Sequence, residues 1–170
     1  MRAWLMLLLV MPMGIAAAEL PLIGKTMPPY PEGLREVGGI CLADPGNPGA
    51  VCDHSIALLA DASIDPGAAA VMRYVVAGRM QGRDGTVALW KITDALPYPL
   101  VAPDYFWQSG SCRLDRVEDG KIIAVVRHDL EQEYSRDVAW ARRLELESGK
   151  FVVVKPGRVD CLNEGYGLDP

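Results

Sequence analysis

The sequence predicts a mainly β protein: a single antiparallel β domain, a sandwich or a twisted, partly closed sheet, stapled by disulfides and with at most one or two short helices. Three observations predict it. Apolar and polar residues alternate with period two in the C-terminal half. Glycine-bearing turn sequences separate those stretches at short intervals. Four cysteines follow an N-terminal stretch that reads as an export leader.

The stretch from Cys112 to Cys161 carries most of the pattern. In Asp137–Glu147, Val138, Trp140, Leu144 and Leu146 fall on one face, and Ala139, Ala141, Arg143, Glu145 and Glu147 on the other. Arg142 is the one inward misfit, and Trp140 and Leu144 also stand at helical spacing, so a helix competes for this stretch. Ser148-Gly149-Lys150 turns the chain into Phe151–Lys155, whose phenylalanine and three valines make the clearest strand. Glu118-Asp119-Gly120-Lys121 is a second turn, with Gly120 open to a positive φ. It leads into Ile122–Arg127, an apolar run short enough to be a buried strand. These three strands form an antiparallel meander.

At the N-terminus, Arg2, the apolar Leu5–Val10 and Ala16-Ala17-Ala18 give the charged, apolar and small-residue parts of a signal peptide over residues 1–18. The apolar run is shorter than the roughly 20 residues a membrane span needs. The expected product is a periplasmic or secreted protein with no membrane span after cleavage. Its net charge of −5 becomes one unit more negative once Arg2 is removed. Without a cluster of Lys or Arg, such an acidic domain is a poor candidate for binding nucleic acid or anionic lipid. In an oxidising compartment four cysteines make two disulfides, and the preferred pairing is Cys41–Cys52 and Cys112–Cys161. The first closes a short Pro/Gly/Asp/Asn loop; the second ties the start of the meander to the chain's end. No Cys-x-x-Cys or zinc spacing is present.

Residues 19–35 form a Pro-rich arm (Pro21, Pro28, Pro29, Pro31), extended and without sheet hydrogen bonds at its Pro-Pro-Tyr-Pro centre. The domain proper is 36–170. Glu36–Leu42 forms a short strand interrupted by Gly38-Gly39, and Asp44–Gly49 is turn upon turn. Ser55 either caps a short helix, within Ser55–Ala70, or begins an edge strand. Asp61, Ser63 and Asp65 resemble the start of a calcium loop. Pro66 then stands where glycine is required, and Met72 where the bidentate glutamate belongs. Val71–Met80 and Thr86–Thr93 are strands around an Asp84-Gly85 hairpin turn, with Trp90 and Ile92 on the better-buried face of the second. Leu96–Leu100 leaves the sheet.

Chemistry is harder to find. The two histidines, His54 and His128, each adjoin an aspartate, but neighbours on a strand point to opposite faces, and Ser109 and Ser111 lack a nucleophile elbow. Asp115, Glu118, Asp119 and Asp129 flank one hairpin and could gather a cation. Among 22 acids no spacing singles out a glycosidase pair. No catalytic residue, metal site or cofactor is therefore assigned. The stapled loop around Asn47 and the aromatics Tyr98, Tyr105, Phe106 and Trp107 are the candidate partner-binding residues. They point to an exported, non-enzymatic binding protein, an inhibitor or immunity-type protein meeting a protein partner in the cell envelope. A cell-wall or carbohydrate hydrolase and a structural envelope protein are the competing readings.

Overall fold

The structure is a computed structural model and describes residues 22–47, 49, 51–62, 70–129 and 131–167. The signal-peptide stretch 1–18 lies outside the described residues, as does the centre of the calcium-loop resemblance at 63–69. Among the described residues thirteen strands run in chain order: β1 Thr26–Met27, β2 Leu34–Leu42, β3 His54–Asp61, β4 Met72–Asp84, β5 Val87–Pro97, β6 Tyr105–Ser109, β7 Cys112–Leu114, β8 Val117–Glu118, β9 Ile122–Arg127, β10 Tyr134–Ser135, β11 Asp137–Glu145, β12 Lys150–Val153 and β13 Val159–Leu162. A single 3₁₀ turn, Pro156–Arg158, is the helical content of the described residues. None of their helices is long and apolar enough to cross a membrane.

The strands form three antiparallel sheets, ordered β1-β5-β4-β3-β2, β12-β11-β9-β6 and β10-β13-β7-β8. They stack in that sequence. Ile56, Leu58, Val75 and Ala77 of the first sheet meet Ile123 and Leu144 of the second. The opposite face of the second sheet, through Ile122, Ala124, Val126 and Ala141, meets Cys112, Val159 and Cys161 of the third. The outer face of the first sheet is covered by Leu22 and Met27, which pack on Leu59, Val76 and Ile92. The middle layer is thus buried on both faces, which is why Ile122–Val126 is an unbroken apolar run.

Several expectations need correction. Ser55–Ala60 is neither a helix nor an edge strand: β3 lies inside the first sheet, paired with β2 on one side and β4 on the other. Ile56 and Leu58 face the second sheet while Ala57 and Leu59 face the N-terminal cover, so burial on both sides erases the alternation that marks a strand. β2 does not break at Gly38-Gly39. It runs nine residues, with a bulge between Glu36 and Gly38. Gly39 lets the strands close up, since a Cβ there would stand 2.6 Å from the Ile56 carbonyl oxygen. β5 continues to Pro97, its last residue.

The meander β9-β11-β12 forms as expected, but Cys112 does not belong to it. Cys112 sits on β7 in the third sheet, directly opposite Cys161 on β13. A bulge between Val138 and Trp140 changes the facing of β11. Val138 therefore packs with the third sheet, while Trp140, Leu144 and Leu146 pack towards the first. Arg142 keeps the same facing as Trp140: its guanidinium lies 4.8 Å over the Trp140 ring and donates to the Ala141 carbonyl. Partial burial pulls that guanidinium below its ordinary value. The turn before β9 closes through Ile122 N–H to Asp119 O, at 3.0 Å, without a positive φ at Gly120. Among the described residues the non-glycine residues in the left-handed region are Asp115 and Arg116, at φ 51° and 68°, in the two-residue hairpin between β7 and β8.

Candidate functional site

A cleft of about 420 Å³ opens between the loop after β2 and the β7–β8 hairpin. Leu42, Ala43 and Pro45 line one wall, Leu114 and Val117 the other, and Asp119, Gly120 and Lys121 the floor. Val117 is 70% exposed and lines the cleft.

The loop wall is braced from within. Asp44 accepts from Gly46 N–H at 2.8 Å, a local side-chain turn, and its carbonyl accepts from Asn47 N–H at 2.9 Å. Both Asp53 carboxylate oxygens are used, one by Asp44 N–H and the other by the Asn47 side-chain amide, each at 2.8 Å. Cys41 and Cys52 are bonded across the loop's neck. His54 lies beneath it, 3% exposed, with Nε2 3.9 Å from Asp44.

The hairpin wall is rooted by the Cys112–Cys161 bond, with a Cα separation of 3.9 Å. On the neighbouring cross-strand pair, Arg113 donates to both oxygens of Asp160 at 2.7 and 2.8 Å and its guanidinium lies 3.2 Å from the centre of the Tyr134 ring. On the floor, burial raises the Asp119 carboxyl, but the 2.6 Å bond from Arg143 and the Lys121 N–H outweigh it, and the group lies below its usual range. Asp119 is therefore held as an anion. The cleft offers an apolar slot with a fixed polar floor.

The residues expected to bind a partner do not gather on one surface. Asn47 is exposed at the loop tip, with its amide spent on Asp53. Tyr98 and Trp107 pack towards the core between the first and second sheets. Tyr105 donates to Asp137 at 2.7 Å, beside Arg127, which ion-pairs with Asp137 and Asp104. Phe106 is 53% exposed and adjoins His128, with ring centres 5.6 Å apart. It lies at the start of β6, whereas the cleft lies near the far end, where Gly110 approaches Ile40. Period two on β6 explains the division: Trp107 points inward and Phe106 outward.

His128 Nδ1 is 2.9 Å from the Asn163 side-chain oxygen. Among the described residues no serine hydroxyl is within hydrogen-bonding reach of either histidine ring. Ser111 accepts instead from Gln108 at 3.0 Å. The four carboxylates flanking the hairpin do not gather either. Asp115 pairs with Arg158, Asp119 with Arg143 and Lys121, and Asp129 accepts from Gln132. Among the described residues no group of three or more metal-ligating side chains converges.

Sequence reasoning missed the hairpin wall. Its signal was present in Leu114-Asp115-Arg116-Val117, two polar residues between apolar ones, but arginine is a rare choice at a left-handed turn position. No protein-family model, curated protein or solved structure matches the chain.

Proposed function

We propose that this chain is an exported, non-enzymatic binding protein that receives an apolar side chain of a protein partner in the cleft beside its stapled loop. The observation that carries the reading is that a disulfide fixes each wall of the cleft. Rigid walls lose little conformational freedom on association, which favours affinity without a large interface. The two disulfides and the leader-like N-terminus support a periplasmic or secreted location. An inhibitor or immunity-type role against an envelope enzyme is the use that fits a preformed slot best. Nothing in the geometry favours the hydrolase reading, since Asp115 and Asp119 are held by arginines.

The test is capture from envelope extracts by the chain beginning at Glu19, followed by titration of the captured protein. Val117→Asp should weaken binding by about tenfold or more, because burying valine contributes roughly 1.5–3 kcal/mol. Phe106→Ala, at the other end of β6, should leave binding intact. Binding that survives Val117→Asp and is lost in Phe106→Ala would move the surface. Turnover of a peptidoglycan or glycan panel, abolished by Glu118→Gln, would replace the binding reading with an enzymatic one.

A further inference from the structure

The chain is acidic, yet one cavity has the opposite polarity. It has a volume of about 420 Å³ and lies on the outer side of the third sheet, lined by Asp115, Arg116, Arg136, Arg158 and Asp160 around Gly157 and Val159. Both carboxylates are already engaged. Arg158 ion-pairs with Asp115, and Arg113, from just outside the lining, holds Asp160 through two hydrogen bonds. Among the described residues Arg116 and Arg136 form no ion pair. With each acid neutralised by its own arginine, two uncommitted guanidiniums, Arg116 and Arg136, line the same cavity.

The backbone also singles out Arg116. It occupies a left-handed turn position at φ 68°, next to Asp115 at 51°. Glycine or asparagine serves such a position without a long side chain, so the turn itself does not call for arginine. A residue kept in a sparsely populated conformation at a cavity mouth is a common mark of a ligand contact.

We infer that this cavity binds a phosphate monoester. A monoester carries close to two negative charges at neutral pH and three free oxygens, which matches two spare guanidinium forks. A carboxylate saturates one fork and leaves the second guanidinium without an anion. The same chemistry is offered by free phosphate, a phosphorylated sugar or a lipid headgroup.

The test titrates the mature chain with inorganic phosphate, glucose 6-phosphate, glycerol 3-phosphate and acetate, reading arginine side-chain NMR signals. The phosphates should saturate and shift the Arg116 and Arg136 signals, with acetate about tenfold weaker or more, since charge-assisted bidentate contacts distinguish the two. Preference for glucose 6-phosphate would place the source among soluble sugars. Preference for glycerol 3-phosphate, with retention on phosphatidic acid vesicles, would place it at a membrane surface. Arg136→Gln and Arg116→Gly should each lower phosphate affinity by about tenfold or more. Arg116→Gly should melt no lower than the parent, because glycine suits the turn, so loss of binding there is not loss of fold. Acetate binding as tight as phosphate, or unchanged affinity in Arg116→Gly, would overturn the inference.

Discussion

Two glycines in left-handed turns differ in one respect that can be measured. Gly85, at φ 58°, has no heavy atom within 4 Å of where a Cβ would stand. Gly149, at φ 68°, would place its Cβ 2.8 Å from Thr93 Oγ1 and 2.9 Å from Thr93 Cβ. Thr93 cannot easily yield, because its hydroxyl donates to the Gly149 carbonyl at 2.8 Å and its Cβ is fixed to β5. Placing an L residue in the left-handed region costs roughly 1–2 kcal/mol, partly offset by the smaller entropy of the unfolded alanine variant, roughly 0.4–1 kcal/mol. Gly85→Ala should therefore destabilise by about 1 kcal/mol. Gly149→Ala should add an overpacking cost of roughly 1–3 kcal/mol, for a total of about 2–4 kcal/mol. At roughly 2–4 °C per kcal/mol for a chain of this size, that is a fall in Tm of about 5–15 °C against about 2–4 °C for Gly85→Ala. Urea melts of both variants at neutral pH measure the difference. Equal losses would show that the β11–β12 turn does not press on β5 and that the first two sheets meet differently at this end.

The two disulfides should also differ. Their sequence separations are 11 and 49. Loop-closure entropy then gives about 3 kcal/mol for Cys41–Cys52 and about 4 kcal/mol for Cys112–Cys161. Cys112 and Cys161 are also buried, so Cys112→Ala/Cys161→Ala loses packing that Cys41→Ser/Cys52→Ser does not. Urea denaturation should rank the pairs in that order, and the reverse ranking would contradict the placement of Cys112 on β7. Stability should decline as pH falls, through His54. Burial, followed by the nearby Arg79, lowers its pKa below the ordinary value, although Asp44 and Asp53 pull the other way. A lowered folded-state pKa means the folded chain binds fewer protons than the unfolded one. The His54 contribution is then fully present above the ordinary histidine pKa and is lost as pH falls through the folded value. Melts between pH 7.5 and roughly pH 5 should show this slope in the parent and a flatter one in His54→Gln; identical slopes would show that His54 does not set the pH dependence.

How much of this was legible in the sequence depended on burial geometry. Strands β9 and β12 could be read because each is a short apolar run closed by turn residues, and Gly149 announced its turn. Strand β3 could not, because Ile56 and Leu58 are buried on one side and Ala57 and Leu59 on the other, leaving no period to detect. Val138 read as a partner of Trp140 until the bulge between them reversed its facing. The stapled loop was visible as Asp44–Gly49 between two cysteines, yet the wall opposite it was hidden in a turn made of Asp115 and Arg116. The guanidinium cavity has no local signature at all. Arg116, Arg136 and Arg158 come from three separate segments and are gathered only by the pairing of the third sheet and the turn that precedes β13.

That third sheet is the smallest part of the fold and carries both candidate sites. Its strands have two to four residues, against 13 and 11 for β4 and β5 in the first sheet. Strands so short bury too little surface to hold their own geometry. What holds them is a ladder of specific links on successive cross-strand pairs: Cys112 bonded to Cys161, then Arg113 to Asp160. Gln108 reaches across from β6 to the Leu162 carbonyl at the same end. From this clamp the β7–β8 hairpin projects Leu114 and Val117 into the apolar cleft and Asp115 and Arg116 into the guanidinium cavity. One covalent bond thus sets the position of both surfaces, so its reduction should loosen them together, whereas opening Cys41–Cys52 frees only the loop wall of the cleft. Rigidity placed at the weakest sheet, where packing alone cannot supply it, is what a preformed recognition surface requires.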